Sequence, residues 1–370
     1  MEVSIMKIFG MDLGNKQTKL YSEKTKTTKV LPSHFIYSSD LGNTKTAIFA
    51  QKLDLKTYKT SFDDEEYSWG RDMHKLHNDN KFLGTISFEN RYETDEFKLL
   101  ANFALAELAS DFGDEATNGI LKVTVVTGVP SDDFNEEQVP SIMKVLKGDH
   151  NVTIDDTSYI IRVEDVHVLP QSVGTVYNEI LDETGYVLPE KESLLEEEIV
   201  VNDIGGGTFL IDVLKNMNLV SSYQFDSGAY SLHRSIIDLA KQDSSKFDRL
   251  TEYEVDKILK AHNADSGYIY KPNKNESYDI TSFVTRASKR YTRELLNKIS
   301  TSIKQSSSID TNLYTGGGAN LIDQDSVTKN YERAIFVEDS ESANVRGFYK
   351  FGLALALDEA ENEAAATSEE

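Results

Sequence analysis

The 370-residue sequence contains no cysteine and no long apolar run. The first absence excludes disulfide bridges, zinc sites built from thiolates and catalysis by a thiol. The second argues against a membrane-spanning helix, which needs roughly 18 or more consecutive apolar residues. The opening stretch "MEVSIMKIFGMD" also lacks the charged region and long apolar core of a signal peptide. Together these features predict a cytoplasmic protein.

Basic residues are scarce relative to acidic ones. The chain has 39 Lys and Arg against 62 Asp and Glu, which gives a formal net charge of −23. Contacts with nucleic acid phosphates or with an acidic membrane depend on clustered Lys and Arg. We therefore expect no direct binding of nucleic acid and no membrane partner. Any role in handling DNA would require a separate DNA-binding adaptor.

The composition is typical of a globular protein. Hydrophobic residues make up 39 % and aromatic residues 10 % of the chain, and its length suits two or three domains. Strand-like and helix-like segments alternate in both halves, which predicts an α/β architecture of two related domains. A mixed polar stretch over about 43–92 predicts a small inserted subdomain in the first half. The acidic, alanine-rich 359–370 predicts a disordered tail.

Three consecutive glycines interrupt the apolar segment "VVNDIGGGTFLIDVL" at 200–214. A connection between two strands needs one or two glycines, and each further one costs about 0.5–1 kcal/mol of backbone entropy. Such a run lets main-chain N–H groups approach an anion without a Cβ in the way, as in phosphate loops. The alternative is an ordinary glycine-rich hairpin.

A second acid-plus-glycine loop occurs about half a chain earlier, in "IFGMDLGNKQTKLY". Asp12 lies between two strand-like runs there, as Asp203 does in the later segment. Two domains can therefore each present one such hairpin to a shared cleft, with main-chain amides on the phosphates of a nucleotide. Asp12 and Asp203 would hold water ligands of a Mg²⁺ ion that keeps most of its hydration. A third glycine cluster, "TGGGAN", suits an adenine or ribose against the backbone, or is only a tight strand-to-helix turn.

Six motifs in a fixed order resemble those of the actin-type ATPase superfamily. They are "MDLGNKQTK", "VLPQSVGT", "NDIGGGT", "DSGAY", "TGGGAN" and "ANVRGFY", and they extend over residues 11–349. Within that superfamily the set is most similar to the bacterial ParM-like plasmid-segregation actins. The resemblance implies an α/β fold of two related actin/ribonuclease-H-like lobes around a central nucleotide cleft. Domain I would comprise 1–170 plus 340–358, and domain II 171–339.

The resemblance also implies roles for single residues, with Asp12, Asp203 and Gln171 as the catalytic group. Gln171 would orient the attacking water, because phosphoryl transfer demands positioning more than a strong base; alternatively it is only the first residue of a helix. Lys19 would reach the phosphates, or is an exposed strand lysine. The remaining implied cofactor contacts are Gly14, Asn15, Gly205, Gly206, Gly207, Thr208, Gly316, Gly317 and Gly318, with Gly228, Lys257 and Lys260 near the ribose and base.

The function that this resemblance implies is an ATPase that polymerises head to tail. The cofactors would be ATP, or alternatively GTP, with Mg²⁺, and the filaments would segregate plasmid DNA through a DNA-binding adaptor. A sugar-type kinase on the same fold is the alternative, although the sequence contains no motif for its carboxylate base. A chaperone-like ATPase would be expected to have an extra substrate domain.

Overall fold

The computed structural model describes residues 6–25, 27–41, 52–76, 79–85, 90–261, 267–304 and 306–368. The chain divides into two compact units. Unit 1 consists of Met1–Glu192 with Asn344–Glu370, and unit 2 consists of Ser193–Ala343. Part of the insertion that the sequence predicts at about 43–92 lies outside the described residues.

Unit 1 contains a large mixed sheet. Its strands are β1 (Lys7–Leu13), β2 (Gln17–Ser22), β3 (Lys29–Pro32), β4 (His34–Tyr37), β5 (Lys56–Thr60), β6 (Tyr67–Trp69), β7 (Leu83–Gly84), β8 (Ile120–Val129), β9 (Gly148–Ile154) and β10 (Thr157–Pro170). They lie in the order β3-β2-β1-β8-β10-β9-β5-β6-β4-β7. Because β8 is parallel to both β1 and β10, the carboxyl ends of these three strands meet at one edge.

Unit 2 contains a smaller mixed sheet. Its strands are β11 (Glu198–Ile204), β12 (Phe209–Lys215), β13 (Asn218–Phe225), β16 (Thr311–Thr315) and β17 (Ala334–Phe336), while β14 (Ile269–Asn273) and β15 (Glu276–Asp279) form a separate hairpin. The sheet order is β13-β12-β11-β16-β17. Three antiparallel strands from β11 to β13 therefore lie beside a parallel pair, as β1 to β3 lie beside β8 and β10 in unit 1. This repeated plan confirms the predicted α/β fold of two related halves.

The α-helices pack against these sheets. They are α1 (Asp95–Ala109), α2 (Asp114–Thr117), α3 (Gln138–Leu146), α4 (Gln171–Ile180), α5 (Ala229–Asp243), α6 (Glu252–Lys260), α7 (Thr281–Ser302), α8 (Gln324–Asn330) and α9 (Ala343–Ser368). The Thr94 side chain caps α1 by accepting the amide of Phe97. Phe103 of α1 packs against Tyr58 and Trp69 in the core of unit 1. Across the described part of the chain, none of these helices is long and apolar enough to span a membrane.

Helices α4 and α9 approach each other closely in unit 1. A Cβ built on Gly347 of α9 would overlap the carbonyl oxygen of Gly174 of α4. Thr175 donates a hydrogen bond of 2.6 Å to the Asn344 side chain at the same crossing. Phe348 fills the space above Gly128 and Gly174, where any added Cβ would meet its ring. The two glycines thus permit the contact that fixes the start of α4 relative to the sheet.

Two features of the structure differ from the sequence-based expectation. Helix α4, expected at the start of domain II, belongs to unit 1 because it follows β10 directly and packs on α9. Helix α9 runs to Ser368, through most of the expected disordered tail; its alanines and glutamates are good helix formers.

Candidate functional site

Asp12 lies near the end of β1, at the edge of the unit 1 sheet where the carboxyl ends of β1, β8 and β10 meet. It is 3 % exposed. Its cross-strand neighbour in the β1–β2 pairing is Lys19, whose Nζ lies 3.6 Å from Asp12 Oδ2. Gln171 Nε2 donates to the other carboxylate oxygen, Oδ1, over 3.1 Å. The structure therefore brings Asp12, Lys19 and Gln171 together.

Gln171 reaches Asp12 because of where β10 ends. Pro170 is the last residue of β10 and the N-cap of α4, with an extended backbone (φ −59°, ψ 138°). Gln171 is thus the first helical residue, at the sheet edge that also contains Asp12. The sequence offers this position at the start of a helix as the alternative to a catalytic role for Gln171. The two are compatible, because the side-chain amide of Gln171 faces Asp12 and can still orient a water molecule.

The turn after Asp12 is held from behind by Arg91, a residue that sequence reasoning missed. Arg91 Nη2 donates to the carbonyl oxygens of Leu13 at 2.7 Å and Gly14 at 3.0 Å. Ser33 Oγ adds a hydrogen bond of 2.6 Å to the Gly14 carbonyl. Because C=O and N–H point in opposite directions in a trans peptide unit, the amides of Gly14 and Asn15 face away from Arg91.

Burial lowers the pKa of Arg91, and the nearby Tyr92 and Asp12 oppose this shift. A guanidinium stays protonated in proteins, so the charge remains next to the turn. No motif in the sequence marks Arg91. It lies within the polar stretch that we assigned to an inserted subdomain, and only the packing of that stretch onto the turn after β1 reveals its contacts.

The second glycine loop, in unit 2, is also held through its carbonyl groups. Gly205 N–H donates to the Thr208 carbonyl over 2.9 Å and closes the turn. The carbonyls of Gly205, Gly206 and Gly207 accept the amides of Ala229, Tyr230 and Gly228 at 2.9, 2.9 and 3.1 Å. These donors lie at the N-terminus of α5. By the same trans-peptide geometry, the amides of Gly206, Gly207 and Thr208 point away from α5.

Gly228 lies under this loop. A Cβ on Gly228 would come within 2.5 Å of the Gly205 carbonyl oxygen. The ring of Tyr230 lies on the other side, 3.0 Å from a Cβ built on Gly206. Gly228 therefore allows the close contact between the loop and α5, a role distinct from the ribose or base contact that the resemblance implies.

The third glycine cluster adjoins Asp203. Strands β11 and β16 are parallel and pair Asp203 with Thr315, so Gly316 follows directly beside the acid. Gly316 has φ +83°, and a Cβ there would overlap Asp203 Oδ1. The Gly318 amide donates to the Ile204 carbonyl over 2.8 Å. A glycine is thus required at 316 both for backbone conformation and for space.

The two lysines expected near the base lie on α6, and both are exposed. Burial would lower the pKa of Lys260, but the nearby Glu341 and Asp256 outweigh it and raise the pKa. Lys260 Nζ lies 3.2 Å from Asp256 Oδ2. Glu341 also lies 3.8 Å from a Cβ built on Gly317. Lys260 and the third glycine cluster therefore share one acidic neighbour, Glu341.

The predicted residues thus form two groups, one in each unit. Each group has one buried acid near the end of a sheet strand, followed by a turn whose carbonyl groups accept hydrogen bonds. Among the residues that the structure describes, no cluster of three or more His, Cys, Asp or Glu could hold a metal directly. Each group contains one of the two predicted carboxylates, Asp12 or Asp203. A single carboxylate suits an ion that is bound through its water ligands better than an ion that the protein binds directly.

Comparison with known proteins identifies the class. Residues 10–174 match the N-terminal domain of actin-like proteins, and residues 198–346 match the Alp7A C-terminal domain. The two matches together cover most of the chain, which therefore belongs to the actin-like protein family. No curated protein sequence matches the chain.

Solved structures of this family have the same fold. The chain resembles apo pSK41 ParM at 23 % identity and TM-score 0.74, covering 96 % of this chain and 99 % of that one. It resembles the Alp12 filament structure at 14 % identity and TM-score 0.64, covering 95 % and 99 %. It resembles Bacillus thuringiensis ParM with ATP at 17 % identity and TM-score 0.66, covering 96 % and 100 %. These identities support a likeness of fold.

Proposed function

We propose that this protein is an actin-like ATPase that binds Mg-ATP, or Mg-GTP, and polymerises head to tail. Its filaments would move plasmid DNA in the cytoplasm through a DNA-binding adaptor. One observation carries the proposal: in both glycine turns the carbonyl groups accept hydrogen bonds from within the same unit, and the amide groups point away from those donors. Family membership, a relative solved with ATP and another solved as a filament support it.

Both turns fit the phosphates of a nucleotide. Five amides, of Gly14, Asn15, Gly206, Gly207 and Thr208, are oriented away from the donors behind the turns, and phosphate oxygens are suitable acceptors for such groups. Lys19 adds a cation beside Asp12. Gly316, Gly317 and Gly318 would lie against the adenosine. Each unit would thus contribute one phosphate-binding turn.

The acids and the glutamine have separate tasks. Asp12 and Asp203 would hold Mg²⁺ through its water ligands, and the ion would neutralise charge on the phosphates. Gln171, anchored to Asp12 through Nε2, would use its amide oxygen to orient the water that attacks the terminal phosphate. Hydrolysis would then loosen the lobes and weaken the filament. Among the described residues, nothing favours the sugar-kinase alternative.

Right-angle light scattering with Mg-ATP tests the proposal, with electron microscopy of the same samples. We expect scattering above a threshold protein concentration, and phosphate release that follows it. Gln171→Ala should still assemble but release phosphate at least about tenfold more slowly, because only positioning of the water is lost. No assembly with ATP or GTP, or turnover that depends on an added sugar, would contradict the proposal.

A further inference from the structure

The outer face of α7 is a cationic stripe in an acidic protein. Arg286, Lys289, Arg290 and Arg293 are all exposed and recur at helical spacing. They lie opposite the buried face of α7, which consists of Val284, Ala287, Tyr291, Thr292, Leu295 and Ile299. Glu294 is the single acid of the helix.

None of these four cations forms an ion pair within the described part of the chain. By contrast, the exposed lysines of unit 1's sheet, such as Lys59 and Lys122, do form ion pairs. Like charges three and four residues apart repel each other along a helix. A stripe of this kind is therefore a surface suited to an acidic ligand.

The stripe borders a groove between α7 and α8. The groove has a volume of about 460 Å³ and is lined by Lys289, Arg293, Leu296, Asp323, Asp325 and Lys329, among others. The Asp323 carboxylate accepts the Ser326 hydroxyl over 2.7 Å, so one of the two acids is already engaged. Three cations around the apolar surface of Leu296 suit a ligand that combines carboxylates with an apolar side chain.

Such a group occurs in unit 1, in the segment 132–137, which we name the acidic knob. Phe134 is 42 % exposed and is flanked by Asp132, Glu136 and Glu137, none of which is ion-paired within the described residues. The knob is ordered by the Asn135 side chain, which accepts the amides of Glu137 and Gln138. A preordered loop loses less entropy when it binds.

A second acid-rich segment, 62–66, is less suited to bind the groove. Its Asp63 accepts the Tyr67 hydroxyl over 2.6 Å, and its Glu66 pairs with Lys59 over 2.8 Å. The Lys98 ammonium lies 5.6 Å from the Phe62 ring centroid. Because these groups already have partners in the same chain, 62–66 offers less free charge and apolar surface than the acidic knob.

We propose that the groove between α7 and α8 binds the acidic knob of a second copy of this chain. The inference rests on the proposed function, since it names one contact of the filament. Knob and groove are different surfaces in different units, so the contact is heterologous and can repeat without closing. Opposite charges at this contact would offset part of the repulsion between copies that each have a net charge of −23.

Charge reversal in the full-length protein tests the contact. K289E/R293E and E136K/E137K should each raise the threshold concentration for Mg-ATP-dependent assembly at least tenfold, because like charges then meet. The quadruple variant, with both sides reversed, should recover most of the loss. The matched controls K271E/K274E and D64K/E65K change equally exposed charges elsewhere and should assemble as the unmodified protein does.

Binding of a fluorescent ATP analogue and the melting temperature should be unchanged in every variant. Unmodified assembly in either double variant, or a quadruple variant no better than the doubles, would overturn the proposed contact while leaving the filament function intact. Failure of the unmodified protein to assemble would overturn both.

Discussion

At the scale of single residues, the two loops differ in what holds them. In unit 2 the donors are main-chain amides at the N-terminus of α5, and no side chain takes part in these hydrogen bonds. In unit 1 the main donor is one side chain, Arg91, on two carbonyls. The first loop is therefore the more sensitive to a single substitution.

Arg91→Ala should release the turn after Asp12. The loss of charged hydrogen bonds to Leu13 and Gly14 should lower the free energy of unfolding by about 2–3 kcal/mol, measured by urea denaturation, and weaken binding of Mg-ATP. Arg162→Ala is the control, because its pair with Asp149 is exposed and exposed ion pairs contribute little to stability. Equal effects of the two substitutions would show that Arg91 does not hold the turn.

His233 makes stability depend on pH. It is 1 % exposed, and burial lowers its pKa, although Asp256 and Glu252 oppose the shift. The unfolded chain, with an ordinary histidine pKa of about 6.5, then binds the proton more readily than the folded one. The contribution of neutral His233 to stability is therefore fully present above that pH, and it falls as the pH drops towards the pKa of the folded state.

Replacing His233 should remove this contribution. We expect the decrease in unfolding free energy between about pH 7 and pH 5 to be smaller for His233→Gln than for the unmodified protein, by about 1.4 kcal/mol for each unit of pKa displacement. Urea denaturation at several pH values measures it. A pH profile of His233→Gln identical to that of the unmodified protein would refute the prediction.

At the scale of elements, the crossing of α4 and α9 determines where Gln171 lies. The two helices touch through Gly174 and Gly347, with Thr175 bonded to Asn344. A side chain at this crossing would separate the helices, and α4 starts with the residue that binds Asp12. The sequence contains both glycines, but nothing in it indicates that they face each other.

Gly347→Ala should therefore affect stability and turnover together. Overpacking at this contact should lower the free energy of unfolding by about 2–3 kcal/mol, and the displaced α4 should slow phosphate release. Thermal melting and a phosphate assay measure the two effects. Gly119→Ala is the control, since no atom lies within 4 Å of its Cβ. A fully stable Gly347→Ala protein would rule out the tight crossing.

At the scale of the whole molecule, each unit contributes one acid to which the proposed function assigns a role in nucleotide binding. Asp12 belongs to unit 1 and Asp203 to unit 2. If one nucleotide binds both, the loss of either acid should abolish the stabilisation that the nucleotide gives. If one unit binds the nucleotide alone, only the loss of that unit's acid should reduce the stabilisation.

Mg-ATP should therefore stabilise the unmodified protein and neither acid variant. At about 100 times the dissociation constant the gain is about 2.7 kcal/mol, seen as a rise in melting temperature. Asp12→Ala and Asp203→Ala should each lose most of that rise, whereas Asp238→Ala, at an exposed position on α5, should keep it. A normal rise in one of the two acid variants would contradict a shared site.

The sequence by itself determined the fold class, the repeated acid-plus-glycine turns and the family, because period, glycine runs and motif order are local properties of the chain. The tertiary structure decided what depends on contacts between distant residues. Arg91 behind the first turn, Gly316 against Asp203 and Gly174 against Gly347 are such contacts, since each needs packing that no local pattern records.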